Sequence, residues 1–120
     1  MKIALDIDDT ITKYPLFFSQ LSHKHDVIIV TSRSNTQESI EATTILLGNL
    51  DVKFSAIYFC DWSGDVYFDL PDELEGPELL LYQKVIACRT EQVDALFDDD
   101  PTVQTLIKKH LPQVSLFSPV

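Results

Sequence analysis

Residues 2–10 read KIALDIDDT, and this segment is the strongest guide to the fold of the chain. Its apolar residues, Ile3 to Leu5 with Ile7, are typical of a parallel strand that is buried on both faces. Acidic residues follow the apolar run directly, beginning at Asp6. Because ligands of parallel sheets bind at the carboxyl ends of the strands, these acids are the first candidates for a functional site.

Strand-like and helix-like segments alternate along the rest of the chain. Apolar runs predict further strands over residues 27–30, 52–60, 95–97 and 114–117. Helices are predicted around residues 16–21, from a cap at Ser34, Asn35 or Thr36 to Gly48, over residues 78–92, and from Asp100-Pro101 onward. This alternation predicts an α/β fold, a three-layer α/β/α sandwich around a mostly parallel, five-stranded, Rossmann-like sheet.

The length and charge of the chain restrict its possible functions. The 120 residues correspond to one domain, 1–120, and an irregular excursion at about 61–77 leaves room for a flap or hairpin but not for a cap domain. The net charge of −10 disfavours binding to nucleic-acid polymers and anionic membranes, and no apolar run is long enough to span a bilayer. Two cysteines in apolar surroundings and no recognisable leader favour a cytoplasmic protein with reduced thiols.

Polar and charged residues collect where three of the predicted strands end. They are Asp6, Asp8, Asp9 and Thr10 after the first strand, Thr31, Ser32 and Arg33 after the second, and Asp98 and Asp99 after the fourth. If the first and fourth strands are neighbours, several carboxylates face one crevice. Two carboxylates about 5 Å apart repel by roughly 3 kcal/mol at an effective dielectric constant of about 20. A divalent cation would offset this repulsion, and oxygen ligands without nearby His or Cys favour Mg²⁺.

These motifs, in this order, resemble those of the haloacid dehalogenase-like phosphohydrolases over most of the chain. The family's Asp-x-Asp-x-Thr/Val motif is matched by residues 6–10, and its strand-terminal Thr or Ser is matched by Thr31. Lys84 stands before the fourth strand, where the family has a lysine, with Arg89 as a competitor, and Asp98-Asp99 match the paired aspartates. Because too few residues separate the motifs to hold a cap domain, the resemblance is to the capless branch and its small nucleotidases.

The resemblance implies a Mg²⁺-dependent phosphomonoester hydrolase that works through an aspartyl-phosphate intermediate. Asp6 would be the nucleophile, held ionised by the metal, and Asp8 would be the general acid and base, with a pKa raised by the neighbouring carboxylates. Thr31 and Lys84 would bind the phosphoryl group. The implied metal ligands are Asp6, Asp8 through its backbone carbonyl, Asp98 and Asp99. The expected substrate contacts are Asp9, Thr10, Ser32 and Arg33.

The implied substrate is a small phosphorylated metabolite, either a nucleotide or a sugar phosphate. A capless site also gives a reason for the chain to form a homo-oligomer. Trp62, Tyr67 and Phe68 either stack on a ring of the substrate or pack the 61–77 excursion against the sheet. The aromatic residues that follow the first motif, Tyr14, Phe17 and Phe18, are expected in the core on a helix face, with a substrate contact as the alternative for Tyr14 alone.

Two other functions stay open on the sequence. One is a receiver-like domain that accepts phosphate without turnover, for which Asp8-Asp9, Asp61 and Lys108 or Lys109 are loosely suited. That class of domain has Thr or Ser at the end of its fourth strand, where this chain has Asp98. The other is a catalytically silent relative that only binds its ligand.

Overall fold

Five strands form one all-parallel sheet in this computed structural model, which describes residues 1–63 and 70–119. The strands are β1 (Lys2–Leu5), β2 (Asp26–Ser34), β3 (Ala56–Cys60), β4 (Ala95–Phe97) and β5 (Ser115–Phe117). Their order in the sheet is β3-β2-β1-β4-β5, so β1 lies at the centre. The predicted α/β class, the five strands and the Rossmann-like sheet are confirmed.

Four helices connect these strands and cover both faces of the sheet. They are α1 (Pro15–Ser22), α2 (Gln37–Asn49), α3 (Pro77–Glu91) and α4 (Pro101–His110), and an irregular helical turn occupies Ile7–Ile11. Among the described residues, no helix is both long enough and apolar enough to cross a membrane.

The alternation of side chains along the strands supplies two hydrophobic cores. Ala4, Ile28 and Leu96 lie in the core shared with α3 and α4, whereas Leu5 and Ile29 lie in the core shared with α1 and α2. Successive strand residues point to opposite faces, and here both faces are buried. This is the three-layer arrangement that the apolar strands predict.

Local sequence signals predict several of the element boundaries correctly, but two predicted boundaries are wrong. Thr36 begins α2, with its side chain accepting a hydrogen bond from Ser39 N at 3.3 Å, and Asp100 begins α4 in the same way through Thr102 N at 2.8 Å. The prediction that α2 ends at Gly48 is wrong, because the helix continues to Asn49. The third strand starts at Ala56 rather than at residue 52, since the preceding residues form the connection from α2.

The aromatic residues after the first motif divide between core and surface. Phe18 is 1% exposed, as predicted, but Tyr14 and Phe17 are 38% and 54% exposed, so their placement in the core is wrong. The short helix α1 packs one face against the sheet, and Phe18 lies on that face. Phe17, one position earlier, lies off that face and is exposed to solvent. The predicted hairpin strand around Tyr67 and Phe68 lies outside the described residues.

The order of the strands creates a crevice at the centre of the sheet. After β1 the chain crosses one face with α1, and after β4 it crosses the opposite face with α4. Connections that diverge from two neighbouring parallel strands leave an opening at the carboxyl ends, where doubly wound folds bind ligands. Because β1 and β4 pair directly, the acids that follow them meet in this opening.

We expect Leu96→Ala to lower the free energy of unfolding by about 2–5 kcal/mol, because the side chain fills the core beneath β4 and is fully buried. Urea unfolding followed by circular dichroism measures the change. The control is Ile45→Ala on the exposed side of α2, which should change stability by less than about 0.5 kcal/mol. Equal effects of the two substitutions would contradict the assigned core.

Candidate active site

Backbone hydrogen bonds of the sheet position the two central aspartates. The amide of Asp6 donates to the carbonyl of Phe97 at 3.0 Å, and the amide of Asp98 donates to the carbonyl of Phe117 at 3.1 Å. The ladder therefore continues one residue beyond β1 and β4. Both carboxylates start from rigid backbone, so their separation is set by the spacing of neighbouring strands.

Lys84 of α3 joins these two carboxylates. Its Nζ donates to Oδ1 of Asp6 at 2.9 Å and to Oδ2 of Asp98 at 2.8 Å. Lys84, Asp6 and Asp98 are 2%, 5% and 0% exposed. Arg89, the competitor for this position, instead donates to the Tyr82 hydroxyl and is exposed on the last turn of α3. Of the two candidates, Lys84 is the cation that contacts Asp6 and Asp98, and its catalytic role stays a prediction.

The buried cluster of Lys84 with two carboxylates has more negative than positive charge. Burial raises the pKa of Asp6 to about 7, and burial also raises the pKa of Asp98. Burial opposes the charge on Lys84, but the facing carboxylates outweigh it and raise the pKa of the ammonium. One ammonium cannot neutralise both carboxylates, so the cluster favours a further cation or a proton.

Three carboxylates form a possible metal site. Asp6, Asp98 and Asp99 each present an oxygen, and these atoms lie within 4.8 Å of one another. Both oxygens of Asp98 already accept hydrogen bonds, Oδ2 from Lys84 and Oδ1 from the amide of Asp100 at 2.9 Å. Asp6 and Asp99 line the crevice, whereas Asp98 is fully buried, so Asp6 and Asp99 are better placed to bind an ion directly, while Asp98 holds Lys84 in place. The oxygen donors of this set fit a hard divalent cation.

Thr10 lies behind these carboxylates and does not reach the crevice. Its Oγ1 contacts Oδ2 of Asp6 at 3.3 Å and Oδ1 of Asp99 at 3.5 Å, and the residue is fully buried. The prediction that Thr10 contacts substrate is wrong, because no surface of this residue is accessible. Its hydroxyl positions the two carboxylates instead.

The turn after β1 exposes Asp8 and Asp9 at the crevice. Asp9 has φ 61°, a left-handed conformation that favours glycine, and its amide donates to the Thr12 hydroxyl at 2.9 Å. Aspartate tolerates this conformation better than most residues. Asp9 lines the crevice, and its contact with a substrate stays a prediction.

The carboxylate of Asp8 forms an ion pair with Arg33. Nε and one terminal nitrogen of Arg33 donate to the two oxygens of Asp8 at 2.9 and 2.8 Å, and the other terminal nitrogen donates to Thr43 of α2 at 3.1 Å. The bidentate bond from Arg33 lowers the pKa of Asp8. The prediction of a raised pKa for Asp8 is wrong, because Arg33, 25 residues away in sequence, contacts the carboxylate and stabilises its charged form.

Of the two hydroxyls that we predicted at the end of β2, those of Thr31 and Ser32, only Ser32 lines the crevice. Thr31 is 1% exposed, and its Oγ1 accepts a hydrogen bond from the amide of Arg33 at 3.1 Å. Ser32 lines the crevice, together with Asp6, Asp8 and Lys84. The crevice has a volume of about 350 Å³ and is open to solvent. The structure thus places Ser32, and not Thr31, on the wall that a phosphoryl group would contact.

Thr43 is the site residue that sequence reasoning missed. It is fully buried on α2, and its hydroxyl accepts the hydrogen bond from Arg33. On the same helix, Ile40 and Thr44 are exposed, whereas Leu47 is buried. A polar residue four positions before the buried Leu47 was the available signal, because residues i and i+4 share one helix face.

The residues that suit a receiver-like domain are not brought together. Asp61 follows β3, and its side chain accepts the amide of Ser63 at 2.8 Å. Lys108 and Lys109 lie in the last turn of α4, which runs back from the carboxyl ends of the strands. The strand order also has β2 between β1 and β3, unlike the 2-1-3-4-5 order of receiver-like folds.

The comparisons with known proteins support the fold. A chain in the structure of the Pnkp1/Rnl/Hen1 RNA repair complex matches with a TM-score of 0.69 and 16% identity, over 98% of this chain and 42% of that one. A chain in a second structure of the Pnkp1/Rnl/Hen1 complex gives a TM-score of 0.66 and 13% identity, over 98% of this chain and 45% of that one. The chain thus spans less than half the length of these neighbours, whose likeness establishes the fold alone. Neither a protein-family model nor a curated protein matches the sequence.

The raised pKa of Asp6 predicts how the stability of the metal-free protein depends on pH. Between the unfolded value of 3.8 and the folded value of about 7, the folded protein binds a proton at Asp6 that the unfolded chain does not bind. This contribution destabilises the fold increasingly as pH rises from about 4 to about 7. Asp6→Asn cannot bind that proton and lacks the contribution.

Urea unfolding of both proteins in chelator, at about pH 5 and about pH 8, tests this expectation. The unfolding free energy of the wild type, taken relative to Asp6→Asn, should be lower at the higher pH. A difference that is constant or that increases with pH would contradict the raised pKa of Asp6.

Proposed function

We propose that this chain is a Mg²⁺-dependent phosphomonoester hydrolase of the haloacid dehalogenase-like kind, acting through an aspartyl-phosphate intermediate. The observation that carries the proposal is the setting of Asp6. Oδ1 of Asp6 is held by Lys84 at 2.9 Å, while Oδ2 has, among residues 1–63 and 70–119, only the long contact with Thr10 at 3.3 Å. A carboxylate fixed by one oxygen has the other available for attack on phosphorus.

The reaction has two steps, and Asp6 and Asp8 perform both. Before the first step, Asp8 takes up a proton from solvent once Arg33 has left it. In the first step, Oδ2 of Asp6 bonds to phosphorus, the bond to the leaving oxygen breaks, and Asp8 gives that proton to the leaving oxygen. In the second step, Asp8 takes a proton from water, whose oxygen attacks phosphorus and releases phosphate and the Asp6 carboxylate. Lys84 stabilises the charge that develops on the phosphoryl oxygens and keeps Asp6 in position.

Arg33 links substrate binding to the release of Asp8. In the described structure both oxygens of Asp8 are occupied by Arg33, so Asp8 is not free to exchange a proton. A guanidinium binds phosphoryl oxygens with the same forked geometry that it uses for a carboxylate. When a phosphoryl group enters, Arg33 releases its hydrogen bonds to Asp8 and donates to the phosphoryl oxygens instead. Asp8 then becomes available as acid and base.

Asp6 and Asp99 are suited to hold the Mg²⁺ ion, with Asp98 acting through its contacts rather than directly. When bound, the ion supplies positive charge that offsets the carboxylates and polarises the phosphoryl group. The net charge of −10 makes such a counter-charge necessary for an anionic substrate to approach.

The proposed substrate is a small phosphorylated metabolite, a nucleotide or a sugar phosphate, bound in the cytoplasm. The crevice of about 350 Å³ suits a phosphate with a small attached group. The fold neighbours come from an RNA repair complex, which makes a phosphorylated polynucleotide end a second candidate, but the negative charge of the chain favours the small substrate. Formation of a homo-oligomer, which would cover the open crevice, belongs to the same proposal.

The decisive measurement is phosphate release from a panel of phosphomonoesters with Mg²⁺ and with chelator. We expect Mg²⁺-dependent release by the wild type and a loss of at least about a thousandfold in kcat for Asp6→Asn, because the nucleophile is removed. The control is Asp26→Asn, which makes the same chemical change at the amino end of β2, away from the crevice. Asp26 accepts a hydrogen bond from Ser55 there, and this variant should keep full activity.

Release that survives in Asp6→Asn would exclude Asp6 as the nucleophile. Absence of release from every compound, with Asp6 and Asp98 intact, would favour the catalytically silent alternative. Labelling with acetyl phosphate would then show whether the chain accepts phosphate at all.

Thr43→Val tests the role of Arg33 through a residue that no substrate can touch. Valine keeps the shape of the buried side chain but accepts no hydrogen bond, so Arg33 loses one of its anchors. A hydrogen bond with a charged donor contributes about 1.5–3 kcal/mol, so kcat/KM should fall by at least about tenfold, mainly through KM.

Thr43→Ser is the matched control, because it retains the hydroxyl and should restore most of the activity. Urea unfolding of both variants separates a loss of stability from a loss of Arg33 positioning. Equal kcat/KM values for the valine and serine variants would show that the Thr43 hydroxyl has no part in substrate binding.

A further inference from the structure

Trp62 is an exposed aromatic residue beside the crevice. The residue is 60% exposed, and Nε1 of its indole donates a hydrogen bond to the carbonyl of Ser32 at 2.9 Å. Ser32 itself lines the crevice with Asp6 and Asp8. The indole therefore lies against the wall of the candidate active site, with much of its surface facing solvent.

The backbone on both sides of Trp62 is held in place. The amide of Asp61 donates to the side chain of Gln83 at 2.8 Å, and the Gln83 side chain donates to the carbonyl of Asp61 at 3.0 Å. The amide of Ser63 donates to the Asp61 carboxylate at 2.8 Å. Gln83 precedes Lys84 on α3, so the same helix positions both the buried cation and the start of this segment.

An ordered but exposed tryptophan gains little from burial. Fixing a side chain reduces its conformational freedom, and for a core residue the removal of apolar surface from water offsets that loss. Here most of the apolar surface stays in water, while four hydrogen bonds orient the residue and its neighbours. A ring held open in this way is suited to stack on a flat ligand.

We infer that Trp62 stacks on the base of a nucleoside phosphate whose phosphoryl group occupies the crevice beside Ser32. This inference rests on the proposed function. Of the two small-substrate classes proposed there, it selects nucleotides over sugar phosphates. The crevice supplies the charged groups, Lys84 and Arg33, that a phosphate requires. Trp62 supplies the apolar face that a base requires and a sugar phosphate does not.

Because Trp62 is the single tryptophan of the chain, its fluorescence reports this contact directly. The titration uses Asp6→Asn with Mg²⁺, so that binding is observed without turnover. Adenosine 5′-monophosphate should quench the fluorescence, and ribose 5-phosphate, which carries the same phosphate without a base, should not. Tighter binding of a phosphorylated oligonucleotide than of the mononucleotide would support the base contact and assign it to a polynucleotide end.

Substitutions at Trp62 separate stacking from the hydrogen bond to Ser32. Stacking of one base on an aromatic ring corresponds to a loss of at least about fivefold in affinity when the ring is removed. Calorimetry should show this loss for adenosine 5′-monophosphate in Trp62→Ala, little change in Trp62→Phe, which keeps a ring face, and no change for ribose 5-phosphate. Phe17→Ala, which removes an exposed ring of α1 that contacts Phe18 and Phe97, should leave both affinities unaltered.

Three outcomes would overturn the inference: equal affinity of wild type and Trp62→Ala for the nucleotide, equal losses in Trp62→Phe and Trp62→Ala, or equal binding of nucleotide and ribose 5-phosphate. Its failure is distinguishable from failure of the proposed function. Mg²⁺-dependent hydrolysis of ribose 5-phosphate by the wild type, lost in Asp6→Asn, would support the hydrolase whatever the role of Trp62.

Discussion

The contact of the Lys84 ammonium with the carboxylates of Asp6 and Asp98 is the interaction on which the rest of the structure depends. It connects the end of β1 to α3 and to the end of β4, which both lie far along the chain from β1. All three groups are buried, so removing Lys84 would leave two carboxylates in the interior without a cation, which is strongly destabilising. The fold can form this contact only if β4 returns to lie beside β1, as the observed strand order requires.

The two cations near the crevice have different surroundings and therefore different roles. Lys84 is buried and fully engaged with two carboxylates, so it maintains the geometry of the site. Arg33 is partly exposed and holds Asp8 at the crevice edge, where solvent weakens the pair and a competing anion can replace the carboxylate. A fixed inner charge beside an exchangeable outer one suits a site that admits and releases a phosphorylated ligand.

Much of the fold could be predicted because its signals are local. The strand over residues 95–97 is observed as predicted, and Thr36 and Asp100 begin their helices through hydrogen bonds to residues two or three positions away. Errors arose where a distant contact opposed the local pattern. Asp8 has acidic neighbours in sequence, yet Arg33 determines its charge, and Thr10 lies in a polar segment, yet the sheet buries it.

The sequence by itself determined the strands and helices and the acidic residues at the strand ends, because periodicity, capping and charge are properties of neighbouring residues. The tertiary structure alone decided which strands are neighbours, which cation faces Asp6, and which hydroxyl reaches the crevice. Lys84 and Asp6 are 78 positions apart in the chain, and only folding brings them to 2.9 Å. Electrostatic interactions and desolvation depend on distance in space and on burial, and neither quantity exists until the sheet and its helices have assembled.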